Sequence, residues 1–333
     1  MSLKQIADEL GISVSSVSRA LGSGKGVTKS RKREVEETAA RLGVNVNRQA
    51  SALRKTKKSG LALLFNPNDT EIGKQRNKAI NELVGDYYSH LRMLGSTEMD
   101  NLDVLVQEAI AAKSEAILIH HLDGNLSEAT INLLKNTNTP CIAIDCEIDS
   151  ISQINFDRSI GAYMAIKLLS LSGCQSPCCL FSSPCEGRAQ GAQQAIQEFY
   201  PDKTNMIHSI SGRYFVDGEQ GIEDVLSRSD IDGIFCWNDE VALGVMRKLQ
   251  QLDIRVPHDI KVIGFDNLPF SAYLPVSLTT VAQPIEEPVR LALSYLQKCD
   301  GFEQDVNKVL SMSLVVRESA PIKSQDVRKE IFS

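Results

Sequence analysis

The chain has 333 residues, 42% of them hydrophobic and 23% charged. These are globular proportions, and at roughly 100 to 200 residues per domain they predict two or three domains with ample core rather than a small stapled scaffold. Apolar runs such as Leu61 to Phe65 fall far short of the roughly 18 residues that cross a bilayer. The N-terminus, MSLKQIADELG, has no apolar targeting core, and the eight cysteines, mostly in apolar stretches, suit buried thiols of a reducing cytosol. The net charge of -6 conceals a division: residues 1–59 carry 13 Lys and Arg against 5 Asp and Glu, and residues 60–333 carry 23 against 37. A compact basic segment on a larger acidic body suits a polyanion partner for the first part alone, although a solvated lysine-rich head would give the same count.

In chain order, Leu3, Ile6, Ala7 and Leu10 form one apolar stripe of a short helix that Gly11 ends. Ser13 can cap a second helix with Val17 and Leu21 inward and Val14, Ser15, Ser18 and Arg19 outward, which is the helix-turn-helix pattern. Thr28 can cap a third, with Val35, Thr38, Ala39 and Leu42 on its inner face. The second helix has the short polar and methyl-bearing groups and the single long donor that suit a major groove.

Residues 3 to 54, and IADELGISVSSVSRAL above all, resemble the DNA-binding headpiece of the lactose-repressor (LacI/GalR) family of bacterial transcription regulators. The resemblance implies DNA contacts at Val14, Ser15, Ser16 and Arg19. It also implies a hinge helix in NRQASALRK, with contacts at Asn47, Arg48, Ala50, Leu53 and Arg54 and with Leu53 entering the minor groove. A nine-residue helix with few core contacts is marginal in water, so it should order on DNA beside a second copy. Two departures are Val44 in place of the usual aromatic and Val46 in place of the usual proline.

From Gly60 onward, strand candidates LALLF (61–65), AILIH (116–120), CIAID (141–145), CCLFS (178–182), GIFCW (233–237) and KVIGFD (261–266) alternate with helices such as Leu102 to Ala112 and Glu240 to Leu252. This βαβ repetition predicts parallel sheets, which take ligands at the carboxyl ends of their strands. Polar residues stand at those ends: Asp157, Arg188, Asn238, Asp239, Asp266 and Gln283, each also suited to a helix cap or turn.

The segment FCWNDEVALGVMRKLQQLDIRVPHDIKVIGFDNLPFSAYLPVSLTTVAQP resembles the same family's effector-sensing core, continuing to SLVVRES. The implied fold is α/β: a helix-turn-helix headpiece (1–46), a hinge helix and linker (47–59), and a two-lobed periplasmic-binding-protein-like domain with parallel sheets (60–333). Lobe 1 is about 60–156 and 284–311, and lobe 2 about 157–283 and 312–322. Effector contacts are expected at Asp157, Arg188, Tyr214, Asn238 and Asp266. The family's aromatic pair after the first strand is missing from NPNDTEIGKQRN, and Trp237, the single tryptophan, stands where a small residue is usual; it could line the pocket or pack in the core.

Cys174, Cys178, Cys179 and Cys185 lack paired CxxC spacing, and no HExxH, GxSxG, Walker or GxGxxG motif is present, so no metal, cofactor or catalytic residue is expected. The expected protein is a cytoplasmic homodimer, without a tetramerising C-terminal heptad run, that binds a near-palindromic DNA operator and no membrane, and represses under the control of a small molecule. A carbohydrate is the first candidate, because acids and amides outnumber cations at the expected strand ends. A nucleobase corepressor, a soluble sugar receptor without DNA function, and a regulator that has lost ligand control are the alternatives.

Overall fold

Leu61 and Leu63 enter one hydrophobic layer while Ala62 and Leu64 enter another, and Ala116 and Leu118 are separated in the same way from Ile117 and Ile119. Side chains of a strand alternate faces, so both faces of this sheet are covered, and its strands read as unbroken apolar runs for that reason. The computed structural model describes residues 58–322 apart from 68, 69, 98–100, 123, 184, 185, 228 and 229, together with 3–13, 16, 17, 28, 31, 33–35 and 38.

In the N-terminal part, α1 (Leu3–Leu10) buries Ile6 and Ala7, and the chain turns at Gly11 with φ +63°, a left-handed conformation that glycine adopts without strain. The Ser13 hydroxyl accepts from the Ser16 amide at 3.1 Å, and that of Thr28 from the Arg31 amide at 3.4 Å, as expected of helix caps. Val17, Val35 and Thr38 are buried beside them. Val14, Ser15, Arg19, Asn47, Arg48, Ala50, Leu53 and Arg54 lie outside the described residues.

The first sheet contains β1 (Lys58–Phe65), β2 (Tyr88–Gly95), β3 (Ala116–His120), β4 (Cys141–Ile144), β5 (Ser152–Phe156) and, from near the C-terminus, β11 (Asn307–Leu310), in the order β11-β5-β4-β3-β1-β2, all parallel. Helices α2 (Glu71–Leu83), α3 (Leu102–Ala111) and α4 (Glu128–Thr137) follow β1, β2 and β3. The second sheet repeats the plan with β6 (Pro177–Ser182), β7 (Ile207–Ile210), β8 (Gly233–Cys236), β9 (Lys261–Asp266), β10 (Thr279–Ala282) and β12 (Ser313–Val315), in the order β12-β10-β9-β8-β6-β7. Only the β10/β12 pair is antiparallel there. Its helices are α5 (Arg158–Leu171), before β6, then α6 (Glu186–Phe199), α7 (Phe215–Leu226) and α8 (Asp239–Gln251); α9 (Glu286–Lys298) returns to the first sheet.

The chain therefore passes between sheets three times: from β5 to α5, from β10 to α9, and from β11 to β12. In each sheet the strand order reverses where the first strand lies between the second and the third, at β1/β3 and β6/β8. A crevice opens at the carboxyl ends of such a pair. No helix among the described residues is long and apolar enough to cross a membrane.

Candidate effector cleft

The two reversal points face one cavity of about 430 Å³. One wall comes from Thr70 and Ile72 after β1, His121 after β3, Asp145 and Glu147 after β4, and Asn155 and Phe156 of β5. The opposite wall comes from Ser183 and Arg188 after β6, Arg213 after β7, Trp237 and Asn238 after β8, and Asp266 of β9; Arg158 and Gln283, at two of the passages between sheets, complete it.

The floor is a connected polar chain. Arg76, fully buried on α2, donates to Asp145 Oδ2 at 2.5 Å and to Gln283 Oε1 at 2.8 Å. Arg158 donates to the other Asp145 oxygen at 2.5 Å. Gln283 Nε2 donates to Asp266 Oδ1 at 2.5 Å, and the Arg188 guanidinium lies 3.6 Å from that same oxygen. Burial alone would push the Asp145 carboxyl up, but the cations Arg158 and Arg76 hold it well below the usual carboxylate range. For Asp266 burial prevails, and the carboxyl is raised against the pull of Arg188 and the Gln283 hydrogen bond.

Aromatic rings order these cations. Arg188 lies between Trp237 and Phe265, 4.1 and 4.2 Å from the ring centroids, and Arg76 lies 4.2 Å from the Phe156 centroid. His121, Asp145 and Asp266 all have positive φ, +49°, +59° and +108°. Non-glycine residues held there cost about 1–3 kcal/mol each, a strain typical of ligand sites, and three of them converge on this one cavity.

Of the residues expected from the sequence, Arg188, Asn238 and Asp266 are brought together on the cleft wall. Asn238 is also the cap of α8, accepting from the Val241 amide at 2.8 Å and donating to the Arg213 carbonyl at 3.0 Å. Asp157 is instead exposed and caps α5, accepting from the Ile160 amide at 3.0 Å, while its neighbour Arg158 turns inward. Tyr214 is 56% exposed at the start of α7, its backbone held by the Asp217 carboxylate at 2.9 Å, and the adjacent Arg213 lines the cleft. Trp237 both lines the cleft and packs inward, edge-on to Phe181 at 6.4 Å.

Arg76, Asp145, Arg158 and Arg213 were absent from the expected set. Asp145 ends a recognisable strand and could have been found by the rule that named Asp266; nothing local marks a mid-helix arginine as buried. Acids and amides together outnumber the arginines of the lining, Asp145, Glu147, Asp266, Asn155, Asn238 and Gln283 against Arg158, Arg188 and Arg213, although the three carboxylates alone are matched by three arginines, with Arg76 behind them. Among the described residues no group of His, Cys, Asp and Glu is placed to hold a metal ion, and burial pushes the Cys178 thiol up to about 12 and keeps it protonated.

Two walls hinged by three passages, with a polar floor and a ligand-sized cavity at the strand ends, define a two-lobed ligand-binding protein of the periplasmic-binding-protein type. Residues 172–320 match the family model described as a periplasmic binding protein-like domain. Along its whole length the chain is similar to the probable HTH-type transcriptional repressor ExuR of Bacillus subtilis, 27% identical over 96% of this chain and 98% of the relative. It is similar also to the ribose operon repressor of Halalkalibacterium halodurans, 25% identical over 95% and 96%. Among solved structures, the lac repressor dimer bound to operator and an anti-inducer superposes with a TM-score of 0.66 at 20% identity, over 96% of this chain and 99% of that one. These relatives are LacI-family transcriptional repressors, and the chain is similar to them along almost its whole length.

Proposed function

We propose that the chain is a repressor that binds a near-palindromic operator as a homodimer, and that a small molecule closing the cleft changes its operator affinity. Residues 1–46 are the reading headpiece, 47–59 the hinge, and 60–333 the effector-binding and dimerising part. Val14, Ser15, Ser16 and Arg19 meet the major groove. Asn47, Arg48, Ala50, Leu53 and Arg54 meet the hinge site, with Leu53 as the minor-groove wedge. On this reading the protein works in the cytosol, where its DNA is.

The observation that carries the reading is the floor of the cleft, in which Arg76, Gln283 and Asp266 join α2 of one lobe to β9 of the other across a passage between them. A ligand touching both walls has a differential interaction with open and closed lobes, which any effector requires. The resemblance of the first 54 residues to a DNA-binding headpiece supplies the other end of the coupling. A carbohydrate suits the cleft better than a nucleobase, since Trp237 and Phe156 each already have a ring face occupied by a guanidinium. Similarity to a ribose operon repressor supports the same class.

Selection of bound sequences from a random DNA pool tests the DNA half of the proposal. A near-palindromic site should emerge, and Arg19→Ala should cost about 1–3 kcal/mol per half-site and relax preference at one base. Uniform weakening across all sequences would make Arg19 a phosphate contact. Failure of any sequence to enrich would remove the DNA-binding role.

A further inference from the structure

We propose that the effector is an anionic carbohydrate, one bearing a carboxylate or a phosphate, and that its charge is met at the cleft by Arg213 and Arg158. The inference rests on the cleft being the effector site and adds the chemical class of its ligand.

The acceptors of the site are largely committed. Asp145 has one oxygen on Arg158 and the other on Arg76, both at 2.5 Å. Asp266 Oδ1 takes Gln283 at 2.5 Å with Arg188 3.6 Å away, and both ends of the Gln283 amide are engaged. Asn238 gives its carbonyl to the Val241 amide and its NH2 to the Arg213 carbonyl. A neutral polyol needs open acceptors as well as donors, and of the lining carboxylates only the exposed Glu147 stands wholly outside these contacts.

The donors are in surplus. Arg158 uses one of its five N–H groups on Asp145, and Arg213 is exposed, lines the cavity and forms no ion pair among the described residues. The three lining guanidiniums, those of Arg158, Arg188 and Arg213, stand against the three lining carboxylates of Asp145, Glu147 and Asp266; Arg76 behind them is committed to Asp145 and Gln283, and Arg213 is the lining arginine left without an ion pair among the described residues. Of the acids beyond the wall, Glu71 has Lys74 at 3.8 Å and Glu240 does not line the cavity. Planar guanidiniums bind carboxylate and phosphate oxygens in pairs, and such charge-assisted bonds are about twice as strong as neutral ones.

The test uses the full chain and the fluorescence of Trp237, the single tryptophan, which lines the cleft. Glucose, glucuronate and a glucose phosphate are titrated, then the same three chemistries in the galactose series, at low and high salt. In the series whose stereochemistry fits, an anionic member should bind about tenfold or more tightly than its neutral parent, and salt should narrow the gap. The carboxylate and phosphate arms identify which anion is meant. Arg213→Gln should remove most of the preference without lowering the melting temperature. A neutral parent that binds at least as tightly, with Arg213→Gln indifferent, overturns the anionic inference and leaves the effector cleft standing. No response and no thermal shift with any of the sugars overturns both.

Discussion

Arg76 and Asp145, 69 positions apart in the chain, meet at 2.5 Å with the guanidinium wholly sealed from solvent. The same guanidinium reaches Gln283 from a distance of 207 positions, so one side chain ties α2 and the end of β4 to a passage between the lobes.

Removing one partner of such a pair leaves the other's charge buried and uncompensated. Asp145→Ala, which strands Arg76 and half-buried Arg158 together, should therefore cost about 3–5 kcal/mol in urea unfolding of the full chain. Arg76→Met keeps the stem volume and leaves Asp145 its second cation, so the loss should be smaller. An Asp145→Ala cost under about 1 kcal/mol would mean that the floor adds nothing to stability.

Much of this architecture could be read from the residues, and the failures share a cause. Strands 116–120, 178–182 and 261–266 stood out because sheets covered on both faces need continuous apolar runs. Tyr88–Gly95 lies at the edge of its sheet, mostly exposed and carrying His90 and Arg92, so its sequence has neither the run nor a clean alternation. The polar strand ends gave Arg188, Asn238 and Asp266, yet the choice between Asp157 and Arg158 turns on which of two neighbours caps a helix. Arg76 was out of reach, because its burial is compensated by Asp145 and Gln283, and only tertiary structure reveals that compensation.

Asp239 gives a pH prediction. It is fully buried and accepts from the Leu268 amide and from the hydroxyls of Ser271 and Thr280, at 2.7, 2.6 and 2.5 Å. Burial pushes its carboxyl up to about 7 despite those bonds. The folded state thus holds a proton that the unfolded state releases near 3.8. Its stabilising contribution is complete below that pH and is lost as pH rises through about 7. Asp239→Asn, which mimics the protonated acid, should flatten that decline by on the order of a few kcal/mol and be no less stable at neutral pH. The prediction fails if wild type and variant run parallel from acid to neutral pH in denaturant titrations.

Helices α7 and α8 approach so closely that a Cβ on Gly244 would stand 1.8 Å from the Phe215 carbonyl oxygen. Backbone cannot yield as a side-chain tip can, so Gly244→Ala should destabilise by about 1–3 kcal/mol or more. Gly85→Ala, with nothing within 4 Å of the new methyl, serves as the neutral control. Equal melting temperatures for the two variants would refute the close packing of this helix pair.

The most direct test of the account is operator titration at fixed salt, with and without an effector identified by Trp237 fluorescence, in wild type and Arg188→Ala. Arg188 faces the cleft beside Asp266, far along the chain from the headpiece. Wild type should shift its operator midpoint when the effector is added, and operator should change effector affinity by the same factor, since coupling free energy is reciprocal. Arg188→Ala should keep the effector-free midpoint and lose the shift. A wild-type midpoint that stays unmoved while Trp237 reports a filled cleft, or a mutant that responds with wild-type midpoint and amplitude, would contradict the account.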